Sequence, residues 1–73
     1  MKGETEEQRL FGTVARLNLD VGFGYVLDAN KTNQYIFLIG KALSNAEARR
    51  LRVGAPVQFL LRDQGRVEEL KVL

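Results

Sequence analysis

The most regular stretch of this chain runs from Gly22 to Leu27, where glycine alternates with aromatic residues in GFGYVL. A period of two is the signature of a β-strand, and it sends Phe23 and Tyr25 to one face while Gly22, Gly24 and Val26 take the other. The next apolar run, QYIFLIG, is rich in β-branched and aromatic residues and predicts a strand with both faces covered or one left sticky. Its parity groups Tyr35, Phe37 and Ile39 against Ile36 and Leu38. Upstream, Leu10, Val14 and Leu17 mark a first strand from Leu10 to Asn18, bent at Gly12, where a glycine permits a bulge or a close backbone approach. Downstream, Val57, Phe59 and Leu61 alternate with Gln58, Leu60 and Arg62 as a fourth strand. The last strand, Arg66 to Leu73, has Val67 on one parity and Leu70 with Val72 on the other, which predicts a bulge around Glu68 and Glu69.

Turn signals separate these segments at Asn18–Val21, Asp28–Asn33 and Asp63–Gly65. Between the third and fourth strands, Ser44 stands three residues before Glu47 in SNAEARRL, the spacing of a capping box, so a short helix is expected there, closed by Gly54 and Pro56. Met1 to Gln8 offers no periodic apolar residue and is expected to be a flexible N-terminal arm, with one folded domain over residues 9–73. Five short strands with one helical insert bury a core best by curling, so the expected architecture is all-β, a five-stranded antiparallel barrel.

Composition narrows the chemistry. The 73 residues include neither cysteine nor histidine, so no disulfide and no thiolate or imidazole zinc site is available, and the apolar core must hold the domain alone. The absence of cysteine fits a reducing, cytoplasmic setting, and no apolar run reaches membrane-spanning length. The chain is expected not to be an enzyme. Its single serine is accounted for as a helix cap, and the adjacent Glu68 and Glu69 point to opposite faces of a strand, where they cannot share a substrate. Asp20, Asp28 and Asp63 lie in turns, where aspartate ordinarily bonds the local backbone, so no metal ion and no cofactor are expected. The formal charge of +2 is uneven: residues 1–8 hold Lys2 against Glu4, Glu6 and Glu7, and from Arg9 onward ten Lys and Arg face six acids. This mild basic bias permits a polyanionic partner without demanding one.

Phe23 and Tyr25, aimed outward between glycines and next to Ile36 and Leu38, offer what unpaired bases need. Stacking contributes roughly 1–3 kcal/mol per base whatever the sequence. The same side chains could instead be covered by the helical insert or the N-terminal arm, or meet a protein partner. Arg49, Arg50 and Arg52 read as a solvated helix face, and Lys31 and Lys41 as ordinary connection residues.

In order and spacing, GTVARLN, VGFGYV, QYIFLI, GAPVQF and VEELKVL resemble the cold-shock domain, from Gly12 to Leu73. The resemblance implies an OB-fold barrel whose second and third strands carry two ribonucleoprotein-type motifs and bind single-stranded RNA or DNA, as an RNA chaperone or regulator. Phe23 and Tyr25 fall on the paired stacking aromatics of the first motif. The chain departs from the family elsewhere. Arg16 stands where the family has tryptophan, Leu17, Ile36 and Leu38 replace two phenylalanines and a histidine, and Ala15 and Val21 replace lysines. The expected nucleic-acid-binding residues are therefore Arg16, Leu17, Phe23, Tyr25, Ile36 and Leu38. A homodimer or protein partner on the same apolar face is the alternative.

Overall fold

The computed structural model describes residues 8–62 and 65–73. The elements follow one another as β1 (Gln8–Asn18), β2 (Phe23–Asp28), β3 (Gln34–Leu38), α1 (Asn45–Ala48), β4 (Pro56–Arg62) and β5 (Arg66–Val72). All five strands join one sheet in the order β3-β2-β1-β4-β5, and every neighbouring pair is antiparallel. The expected arm, Met1 to Gln8, lies outside the described residues apart from Gln8. That residue opens β1 by pairing with Leu61, because a ladder uses backbone groups whatever the side chain. Asp63 and Gln64 of the expected hairpin turn also lie outside the described residues.

β1 serves two ladders. Its first half, Gln8–Thr13, pairs with β4, and its second half, Gly12–Asn18, pairs with β2. The two ladders overlap only at Gly12 and Thr13. A Cβ on Gly12 would stand 2.0 Å from the Leu27 carbonyl oxygen, so this position admits only glycine without a backbone shift. Of the two roles that the sequence leaves open at Gly12, close approach is the one realised. The bulge comes three residues later: the register passes from Val14↔Val26 to Arg16↔Tyr25 and leaves Ala15 unpaired. The extra residue reverses side-chain parity along the strand, so Val14 points into the core while Arg16 points away from it.

The core is apolar throughout, and the described residues bury no polar or charged residue. Val14, Val26, Phe37, Val57 and Phe59 are its most enclosed large side chains. Tyr35 leans on Phe59 at a ring-centroid distance of 5.9 Å. β5 keeps both Val67 and Leu70 buried because its register with β4 shifts between Leu60↔Glu69 and Leu61↔Val67, placing the expected bulge at Glu68. Leu60, on the outward parity of β4, is nevertheless buried at 8% exposure. Arg9 and Glu69 are its partners on either side, and their ion pair at 4.0 Å passes over it. The capping box at α1 forms as expected: Ser44 Oγ accepts from the Glu47 N–H at 3.1 Å, and the Ser44 N–H donates to Glu47 Oε1 at 3.3 Å.

The sheet curls but does not close. The antiparallel order leaves the outer strands β3 and β5 parallel and facing each other, with no ladder between them among the described residues. The seam is bridged at its two ends. A Cβ on Gly65 would lie 3.3 Å from the Tyr35 ring, and the Leu70 N–H donates to the Ala42 carbonyl at 3.0 Å. Among the described residues, no helix is long and apolar enough to cross a membrane.

Candidate nucleic-acid interface

The outward face of β1, β2 and β3 is organised by register into two rows. Arg16 pairs with Tyr25 and Tyr25 with Ile36; two residues along, Asn18 pairs with Phe23 and Phe23 with Leu38. Cross-strand partners on one face stand about 5 Å apart, so these six side chains form a continuous patch. Gly24 and Val26, on the opposite parity, are buried, which keeps both aromatic rings on the outside. Gly24 is required there, since a Cβ would meet the Phe37 ring at 2.5 Å and the Arg16 carbonyl oxygen at 2.7 Å. The glycine thus lets Phe37 fill the core directly beneath the aromatic pair.

Phe23 and Tyr25 meet edge to face, with centroids 6.0 Å apart and planes at 84°. Each remains half-buried, and Leu38 is 41% exposed. The helical insert does not cover them. Ala48 and Leu51 pack into the same core as Val14 and Phe37, on the inner side of the sheet, and only Val53 beyond them reaches the outer face. Val53 completes a shallow recess with Arg16, Phe23 and Tyr25.

Five of the six expected residues therefore share this face: Arg16, Phe23, Tyr25, Ile36 and Leu38. Leu17 is placed differently. It pairs with Gly24 on the inward parity and packs against the core, leaving only its edge on the rim of the recess, because the bulge at Ala15 sends Arg16 outward and the next residue inward. Asn18, paired with Phe23, is the next side chain of β1 after Arg16 on this face. Its Oδ1 accepts from the Val21 N–H at 3.1 Å, so this side chain also fixes the turn into β2.

The second turn is held by a carboxylate. Asp28 Oδ1 accepts from the Thr32 N–H at 2.9 Å and the Asn33 N–H at 3.3 Å, while Oδ2 accepts from Asn33 Nδ2 at 3.2 Å. These bonds, that from Thr32 foremost, hold the Asp28 carboxyl below its ordinary value of 3.8. The turn sets the β2–β3 register and with it the alignment of Tyr25 with Ile36 and Phe23 with Leu38.

Sequence reasoning missed a second concavity. Between β3 and β5, where the sheet is open, lies a groove of about 520 Å³ lined by Ile36, Leu38, Lys41, Arg62, Arg66 and Glu68, with Val67 at its floor. It adjoins the aromatic face through Ile36 and Leu38, and its charged lining among the described residues is Lys41, Arg62, Arg66 and Glu68. Arg62 pairs with Glu68 across the β5 bulge. Lys41 and Arg66 come from parts of the chain that only tertiary folding brings together, so no local pattern announces them. No protein-family model, curated protein or solved structure matches the chain.

Proposed function

We infer that this protein is a binding module, not a catalyst, and that it takes up single-stranded RNA or DNA on the β1–β2–β3 face, as a cold-shock-like chaperone or regulator in the cytoplasm. The observation that carries the reading is the register that sets Phe23 and Tyr25 side by side on the outer face, flanked by Arg16 on one strand and by Ile36 and Leu38 on the other. Bases stack on the rings, the Arg16 guanidinium contacts a phosphate or lies flat on a base, and the two aliphatic residues supply apolar contact. The curl of the sheet and the parallel approach of β3 to β5 support an OB-type barrel whose last seam is held by a few contacts in place of a full ladder.

Titration with a heptamer of thymidine, followed through tyrosine fluorescence and backbone amide shifts, tests the reading. Binding is expected to weaken as salt rises, and Phe23→Ala to lower affinity about tenfold, the equivalent of roughly 1.4 kcal/mol within the range for one lost stack. No shift of Phe23, Tyr25 or Arg16 at low salt with millimolar strand would rule it out.

The exposure of Leu38 beside Ile36 favours a second reading, in which the same apolar face receives a protein or a second copy of the chain. Ile36→Lys would then abolish self-association in sedimentation while leaving the circular dichroism spectrum unchanged. A strictly monomeric wild type at high concentration counts against self-association.

A further inference from the structure

We propose that the recess bounded by Arg16, Asn18, Phe23, Tyr25 and Val53 holds one base of the bound strand and selects guanine there. The selectivity rests on the nucleic-acid reading of this face and deepens it by naming the base. The rings of Phe23 and Tyr25 stand at 84° to each other, so a base stacked on one cannot also lie flat on the other, and the pair seats a single base. Register then sets a polar side chain of β1 beside each ring, Arg16 against Tyr25 and Asn18 against Phe23. Both line the recess.

Both of these groups offer hydrogens. The Arg16 guanidinium is exposed and has no ion pair or hydrogen bond among the described residues, so its planar fork of N–H groups is available to a ligand. Asn18 is oriented by the turn: its Oδ1 accepts from the Val21 N–H at 3.1 Å, and a backbone N–H needs an oxygen there, so the amide cannot flip and Nδ2 is left to donate. Val53 is apolar, the Tyr25 hydroxyl can donate as well as accept, and among the described residues no carboxylate lines the recess. A base edge made of acceptors therefore fits, and one that carries amino hydrogens does not. Guanine presents O6 and N7 side by side, which an arginine fork bridges with two bonds. Adenine sets an amino group beside N7, cytosine carries one at C4, and thymine has a methyl group next to O4.

Four heptamers test the selectivity at one fixed low salt concentration: thymidine throughout, or thymidine with guanine, adenine or cytosine at the central position. The guanine heptamer is expected to bind about tenfold more tightly than the adenine heptamer. Central 7-deazaguanine, which keeps O6 and lacks the N7 acceptor, should lose most of that gain, whereas hypoxanthine, which keeps both acceptors, should retain it. Arg16→Lys preserves the charge without the fork, and Asn18→Asp preserves the bond to Val21 while turning the free donor into an acceptor. Each should bring the guanine and adenine heptamers to within about threefold of each other. Equal affinity for all four heptamers, tighter binding of the cytosine one, or a gain that survives 7-deazaguanine or Arg16→Lys overturns the selectivity and leaves the stacking face standing. No binding of any heptamer removes the nucleic-acid reading itself, and the selectivity with it.

Discussion

Single residues decide which side chains reach the outer face. Ala15 contributes little contact of its own, yet as the unpaired residue of the β1 bulge it turns Arg16 outward and Leu17 inward. Asp28 acts in the same way at the other end of β2, through the three bonds that close the turn into β3. Its carboxyl is held below 3.8 in the folded protein, so the charged form is the one the fold prefers. A depressed folded value means that the contribution is fully present above the unfolded value and is lost as pH falls through the folded one. Asp28→Asn keeps one acceptor and loses the charge. The thermal midpoints of the two proteins are therefore expected to differ at neutral pH and to converge in acid, below about pH 4. A gap that stays constant across that range would place the cause elsewhere.

At the scale of elements, the insert between β3 and β4 shows how a four-residue helix is held. A helix this short has no intrinsic stability; the reciprocal bonds between Ser44 and Glu47 fix its start, and the burial of Ala48 and Leu51 anchors it to the core. Ser44→Ala should cost about 1 kcal/mol in chemical denaturation and lower the thermal midpoint by about 4–8 °C. This element was legible because a capping box is written in two residues at fixed spacing. The strands were legible for a similar reason, since alternation in GFGYVL and QYIFLIG assigns a face to each side chain. The bulges were legible unequally. In β5 the three-residue step from Val67 to Leu70 signals the extra residue at Glu68, and the same step from Val14 to Leu17 in β1 carries the same signal. There Gly12 drew the assignment of the bulge instead. The burial of Leu60 was not legible, because what covers it is an ion pair between residues 60 positions apart in sequence, Arg9 and Glu69.

Over the whole molecule, the part of the site that periodicity reached is the part built from consecutive strands β1, β2 and β3. The groove depends on how the β3 edge meets β5, information that resides in curl and not in any local pattern. The open seam joins a groove lined by Lys41, Arg62, Arg66 and Glu68 among the described residues to an aromatic surface.

The double duty of β1 has a mechanical consequence. Hydrogen bonds from β2 and from β4 overlap on only two of its residues, so this strand is a splint across which one half of the domain transmits load to the other. Prying the chains apart at Gly12, as Gly12→Ala does by driving a methyl group against the Leu27 carbonyl, should loosen the hairpin of β2 and β3 as a unit. Amide hydrogen exchange is the measurement: protection at Tyr25, Val26 and Phe37 should fall together while Phe59 and Leu70 retain theirs.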